Sequence, residues 1–343
     1  MTTPRPCSQG CRTTSPSSIP SSSLPACTAR NLRQPSATRL PCAVIIATKG
    51  RPDYARRIVD ALAAQTLRPE RVVVVGSEAA DLFADDGPVG PGALQPELVL
   101  PGRPGLTIQR NAGLDLLVRT GAFADGLAFI AFFDDDFLPA PDWLEACAAV
   151  FADRPDVVGV TGHVLADGIK LAGYTFEEAE SFLDGRRPPT PHWTDRPDRS
   201  ETEGAYGCNM AFRADLTETL RFDEELPLYG WQEDSDYTAQ VRRYGPVLFA
   251  RTCRGVHMGT KSGRTSGVRM GYSQVANPIH IVGRGNMKVS RAAFLVGRAL
   301  VANALKSLSP PEFIDYRGRL RGSAIALADL VRGRCRPGRI LEL

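Results

Sequence analysis

Short apolar runs recur through the middle of the chain, and between them apolar residues return every three or four positions. Ala43-Val44-Ile45-Ile46-Ala47 reads as a fully buried strand, and Pro52 opens a helix whose apolar face is Ile58, Val59 and Leu62. Val72 to Val75 form a second buried strand, ended by Gly76. Strands that are apolar throughout, rather than alternating, belong to a parallel sheet covered by helices on both faces. The alternation continues with a helix over 107–117, a strand over 127–133, a helix from Pro141 to Phe151 and a strand over 157–164. Residues 168–202 are polar, carry several prolines and read as a long loop. Order returns at 206–212, then come a helix over 233–244 and a strand over 247–250 that leads towards His257. From Lys288 onward the spacing predicts two amphipathic helices, 288–308 and 317–333.

Ahead of this pattern, residues 1–41 are dominated by Ser, Thr, Pro and Arg. They offer too little apolar surface to offset ordering entropy and are expected to be disordered. The rest is an ordinary globular composition, 43% hydrophobic and 23% charged over 343 residues, which suits one large domain with appendages. A formal net charge of +3 is too small to imply a nucleic-acid partner. Eight scattered cysteines without a Cys-x-x-Cys pair argue for reduced thiols in a cytoplasmic setting. No stretch reaches the ~20 apolar residues of a membrane-spanning helix.

The most informative feature is Asp134-Asp135-Asp136, placed directly after the apolar strand that ends in Phe132-Phe133. Ligands bind beyond the carboxyl ends of strands in open α/β sheets, so these side chains should line a site. Like charges this close repel unless water or a cation neutralises them, and Mg²⁺ and Mn²⁺ favour carboxylates together with substrate phosphates. A solvated acidic turn is the bland alternative. Further on, Trp231-Gln232-Glu233-Asp234-Ser235-Asp236 opens a helix, where backbone N–H groups favour ionised carboxylates.

Phe132 to Pro139, followed by Pro141-Asp142-Trp143-Leu144, resembles the Asp-x-Asp region of family 2 glycosyltransferases of the GT-A fold. Ala47-Thr48-Lys49-Gly50-Arg51-Pro52 is similar to the family's first strand-to-helix loop, and Gln109-Arg110-Asn111-Ala112-Gly113 to its Ala-Arg-Asn-x-Gly segment. The Glu233-Asp234 region and Gly207-Cys208-Asn209-Met210-Ala211-Phe212-Arg213, a strand beneath the acceptor site, also match. The resemblance covers residues 42–260. It implies a Rossmann-like mixed α/β sheet flanked by helices, a nucleotide-sugar donor, a glycan or lipid-linked acceptor, and a divalent metal, Mn²⁺ or Mg²⁺. Carried over residue by residue, Thr48, Arg51, Arg110, Asn111, Asp134 and Asp135 would hold the donor. Asp136 and His257 would hold the metal, Asp234 would be the base with Glu233 beside it and Asp236 as runner-up, and Trp231 and Asn209 would meet the acceptor. Arg264, in the basic loop Lys261 to Gly267, is expected at the diphosphate, and His192-Trp193 could stack a sugar. One departure stands out: the second strand ends in Gly76-Ser77-Glu78, without the usual base-contacting aspartate, so Glu78 or Asp81 would substitute.

In this reading 1–41 is a tail, 42–286 the GT-A domain and 287–343 a basic amphipathic extension. Arginines interleaved with Phe294, Leu295, Val296, Leu300, Val301 and Leu305 suit peripheral contact with an anionic membrane, on its cytoplasmic face. Cell-surface or exopolysaccharide glycan synthesis is the expected setting. A sugar-phosphate nucleotidyltransferase would need a richer Gly, Arg and Lys loop than Thr48-Lys49-Gly50-Arg51. A non-catalytic glycan-binding module is the non-enzyme alternative, and the two acidic clusters speak against it.

Overall fold

The computed structural model describes residues 40–83, 94–262 and 266–343. The described residues form one compact unit. The elements run β1 (Cys42–Thr48), α1 (Pro52–Ala63), β2 (Arg71–Gly76), β3 (Glu97–Val99), α2 (Leu106–Arg119), β4 (Phe129–Asp134), β5 (Phe137–Pro139), α3 (Trp143–Asp153) and β6 (Gly159–Asp167). Then come α4 (Phe176–Leu183), β7 (Asn209–Arg213), α5 (Ala214–Thr217), α6 (Glu233–Val241), β8 (Val247–His257), α7 (Gly267–Gly283), α8 (Val289–Ser307) and α9 (Tyr316–Val331).

The eight strands form one mixed sheet in the order β3-β2-β1-β4-β7-β6-β8-β5. β1 runs parallel to β2 and β4, whereas β7 is antiparallel to both of its neighbours, β4 and β6. This is the Rossmann-like mixed sheet with flanking helices that the sequence implied. The all-apolar strands are explained by burial on both faces. Val44 and Ile46 pack with Ile58, Leu62 and Trp143 on one side, and Ala43 and Ile45 with Leu114, Leu117 and Tyr237 on the other.

Register decides what meets at the sheet's functional edge. Ala47 pairs with Asp134 and Thr48 with Gly76, so the loops after β1, β2 and β4 leave the sheet side by side. Asp167, ending β6, pairs with His257, ending β8, and His257 also pairs with Phe137 of β5. A residue far along the chain is thereby delivered beside Asp136.

Two helices depart from the expectation. The segment read as loop holds α4, nucleated by a capping box in which Thr175 Oγ1 accepts from Glu178 N while the Glu178 carboxylate accepts from Thr175 N. α7 follows directly after the basic loop and contains Pro278. Two of its glycines, Gly267 and Gly271, are contact residues rather than breakers. A Cβ on Gly271 would fall 1.9 Å from Arg319 O, and one on Gly322 would fall 1.9 Å from Val268 O, so only glycine lets α7 and α9 lie this close. α8 completes the layer through Asn303, which donates to Gln274 Oε1 (2.9 Å) and Ser323 Oγ (3.2 Å). The described cysteines, Cys42, Cys147, Cys208, Cys253 and Cys335, are free thiols. No helix among the described residues is long and apolar enough to cross a membrane.

Candidate active site

Two cavities open at the carboxyl edge of the sheet and meet at Asp134, which lines both. The first is bounded by Thr48, Lys49, Arg51, Ser77, Gln109 and Tyr229. The second, about 580 Å³, is bounded on its inner side by Arg110, Glu233, Asp234 and His257, and on its outer side by Trp193 and Trp231.

Charge balance on the Asp134 side is tight. Arg51 reaches from the start of α1 to Asp135 Oδ1 (2.8 Å) and Asp136 Oδ2 (2.9 Å). Asp135 is fully buried and accepts from Thr48 Oγ1 at 2.7 Å. Burial pushes its carboxyl up to about 7 against the pull of Arg51. Asp136 goes the other way. Burial alone would raise it, but His257 and Arg51 outweigh that and hold it well below the usual carboxylate range. Its Oδ2 also accepts from Thr260 N at 2.8 Å, while Oδ1 lies 3.5 Å from His257 Nε2.

Asp134, Asp136 and His257 each present a ligand atom within 4.8 Å of the others. Two carboxylates and an imidazole at that spacing fit a divalent cation. His257 is oriented for this role from behind, because its Nδ1 lies 3.0 Å from Asp167 Oδ1 and 3.2 Å from Tyr206 Oη. A metal-binding imidazole steadied by a carboxylate at its other nitrogen is a recurrent arrangement. Burial would lower the His257 pKa, yet Asp136 and Asp167 raise it to about 10. Asp167 also accepts at Oδ2 from Tyr206 Oη (3.0 Å) and pairs there with His192 Nε2 (3.0 Å). His192 therefore braces this network, and Trp193 beside it is 61% exposed on the second cavity, edge-on to Tyr206.

Across Asp134, the buried Arg110 guanidinium links the two acidic clusters. It donates to Asp134 Oδ1 (3.0 Å), Glu233 Oε1 (2.6 Å) and Gly207 O (2.8 Å). Burial raises Glu233 to about 8 despite Arg110, and its Oε2 has no hydrogen-bond partner among the described residues. Asp234 accepts from Gly207 N (3.0 Å) and Ser235 N (2.7 Å), and burial still lifts its pKa above the ordinary value. The turn that delivers these acids is strained: Leu228 and Gln232 have φ of 57° and 73°, in the left-handed region. Strain in a non-glycine backbone costs about 1–3 kcal/mol and concentrates at functional sites.

Several expected contacts are redirected. Asn209 does not reach the second cavity: it is fully buried in β7, where its Oδ1 accepts from Thr161 Oγ1 at 3.2 Å. Asn111 likewise lines neither cavity, because Nδ2 donates to Phe222 O and Oδ1 accepts from Phe222 N, bracing the segment ahead of α6. Asp236 turns inward, bonded to Asn286 (2.7 Å) and Gln240 (3.1 Å), so the helical turn separates it from Asp234. Asp81 is buried and accepts from Gly50, Ser77 and Glu78 N–H groups, which ties the β1 and β2 loops together instead of facing the cavity. Arg264 lies outside the described residues. Gln109 and Asp167 were missed as individual site residues, and His192, expected to stack a sugar, instead pairs with Asp167. Gln109 Nε2 straps the ends of β1 and β2 by donating to Thr48 O and Val75 O.

No family model matches the chain. A glucosyl-dolichyl phosphate glucuronosyltransferase from Haloferax volcanii is 27% identical over 164 residues, 46% of this chain and 47% of that protein. The chain thus spans about half the length of the curated relative it matches. Among solved structures, Staphylococcus aureus TarS 1–349 in complex with UDP aligns with a TM-score of 0.48 at 13% identity, covering 85% of this chain and 83% of that one. The Pyrobaculum calidifontis mannosyltransferase PcManGT, with GDP-Man and Mn²⁺, aligns at 0.46 and 18% identity, covering 90% and 87%.

Proposed function

We propose that this chain is an inverting, metal-dependent glycosyltransferase that moves one sugar from a nucleoside-diphosphate sugar to an acceptor hydroxyl. The observation that carries the reading is the meeting of two cavities at Asp134, which forms a candidate cation site with Asp136 and His257 and shares the second cavity with His257, Glu233 and Asp234. The sequence likeness to a glucuronosyltransferase supports it.

In this reading the first cavity takes the nucleotide, near Thr48, Arg51 and Ser77. Asp134, Asp136 and His257 would hold Mn²⁺ or Mg²⁺, which when bound neutralises charge on the diphosphate. Arg110 fixes Asp134 and Glu233 relative to each other, and Trp231 and Trp193 form the acceptor wall. Asp234 takes the proton as the acceptor oxygen bonds to the anomeric carbon. The bond from that carbon to the diphosphate oxygen breaks on the opposite face, the nucleoside diphosphate leaves with the bonding pair, and the glycosylated acceptor carries the inverted anomeric configuration. Residues 42–286 form the catalytic part and 287–343 an extension that contacts an anionic membrane at its cytoplasmic face. The acceptor is a glycan or lipid-linked saccharide of cell-surface or exopolysaccharide synthesis. The name of the Haloferax relative, which includes a dolichyl phosphate carrier, supports the lipid-linked class.

The test is nucleoside diphosphate release from a panel of UDP-, GDP- and dTDP-sugars with Mn²⁺. Slow hydrolysis of one donor, abolished by EDTA, is expected. Metal-independent release, or no metal-dependent binding of any nucleoside diphosphate, would overturn the reading.

Asp167→Asn probes the support behind His257. The carboxylate steadies Nδ1 and leaves Nε2 towards Asp136, and loss of such a partner lowers metal affinity by about 10–100-fold. Mn²⁺ affinity, read by electron paramagnetic resonance, should fall by that factor. An unchanged affinity would reduce Asp167 to a packing role.

A further inference from the structure

α8 carries two faces with opposite fates. Ala292, Leu295, Ala299 and Asn303 are buried against α7 and α9, and Val296 and Leu300 pack at the same core. Directly opposite, Phe294, Val301, Leu305 and Leu308 are 60%, 59%, 65% and 80% exposed. Their spacing of seven, four and three residues places all four on one narrow stripe of the helix. A contiguous exposed apolar stripe on a soluble surface marks an interaction site.

Two observations say what covers it. The first is charge. α8 contains no Asp or Glu, and Arg291, Arg298 and Lys306 flank the stripe. Residues 287–343 hold eleven Lys and Arg against four Asp and Glu, although the whole chain is only +3. Pairing two copies through this face would set these cations against one another. The second is position. Arg291, Phe294, Leu295 and Arg298 also line the second cavity, so the stripe begins at that cavity's mouth. From there it continues along Val301 and Leu305.

We infer that the exposed face of α8 docks on an anionic bilayer, its apolar stripe among the acyl chains and its arginines and lysine at the head groups. This placement turns the mouth of the second cavity to the membrane, so the acceptor arrives from the bilayer rather than from solution. That last step rests on the transferase reading; the docking face does not. α9 fits closely to α7 through the Gly271–Gly322 crossing, which buries Tyr316, Ala326 and Asp329, and leaves Leu327, Leu330 and Val331 exposed on its other side.

The test is sedimentation of the full chain with phosphatidylcholine vesicles, with and without phosphatidylglycerol. Binding only to the anionic vesicles is expected, weakened about tenfold or more in Val301→Ser/Leu305→Ser, because two aliphatic side chains leave the interface. Both positions lie outside the cavity wall that includes Asp234, so donor hydrolysis and melting temperature should match the wild type. Equal partitioning of wild type and variant would overturn the docking face. So would a wild-type dimer that the double variant abolishes, with no vesicle binding. Donor hydrolysis is read separately: its absence in the wild type would sink the transferase reading, while sedimentation would still decide the docking face.

Discussion

Asp234→Asn is expected to lower transfer by about a thousandfold while nucleoside diphosphate affinity stays within about twofold. The first figure is the middle of the range for losing a positioned general base. The second follows from geometry, because Asp234 lines the second cavity and not the one bounded by Thr48, Arg51 and Ser77. The amide keeps the size of the carboxylate. It can still accept from Gly207 N or Ser235 N, but it cannot take a proton. Partly buried next to Glu233, the wild-type carboxyl has a raised pKa, so its acid limb should lie above the ordinary carboxylate value of about 4. The sign follows directly: the base works only when ionised, so the rate rises with pH through that limb. Asp234→Asn should remove this dependence along with the rate. Turnover within tenfold of wild type, with the acid limb retained, would move the base to Glu233.

Much of this site was legible in the sequence because it sits at strand ends. A buried apolar strand running into three aspartates announces a ligand edge, and the Glu-Asp pair at a helix start announces a second cluster. The sequence could not show register. Asp167 becomes a partner of His257 only because β6 and β8 pair in parallel, across two register shifts, to the last residue of each strand. Read one turn short, as a strand ending at Val164, the same segment gives no reason to notice Asp167. The pairing of His192 with that carboxylate was hidden for the same reason, although His192 itself stood out beside Trp193. The inward turn of Asp236 was equally invisible, since it depends on α7 delivering Asn286 to the far side of α6. α7 itself was obscured by glycines and Pro278, which local propensity reads as breakers, although helix packing uses Gly267 and Gly271 as contact points. The amphipathic pattern of α8 was visible, but which half of it faces outward was not. Leu295 turned inward and Phe294 outward, a distinction of one residue that sets the docking face.

Asp136→Ala should abolish metal-dependent nucleotide binding without unfolding the chain. Asp136 is the member of the triad that faces both cations: Oδ2 meets Arg51 and Thr260 N, and Oδ1 approaches His257 Nε2. Loss of a direct ligand should cost more than the roughly 100-fold upper range for outer partners. The variant's Mn²⁺ affinity is therefore expected to drop beyond that figure, and donor hydrolysis with it. The fold should survive, because Arg51 keeps Asp135 at 2.8 Å and His257 keeps Asp167 at 3.0 Å, so neither cation is left buried and alone. His257 supplies an internal control. Asp136 is the strongest of the groups that raise its pKa to about 10, so the imidazole should titrate nearer to neutrality in the variant, visible as a shifted ring-proton resonance. Mn²⁺ binding near the wild-type level would remove Asp136 from the cation site and leave its carboxylate as a counter-ion for Arg51. A collapsed melting temperature would instead mark a structural role, which Asp136→Asn, retaining the acceptor for Thr260 N, separates from ligation.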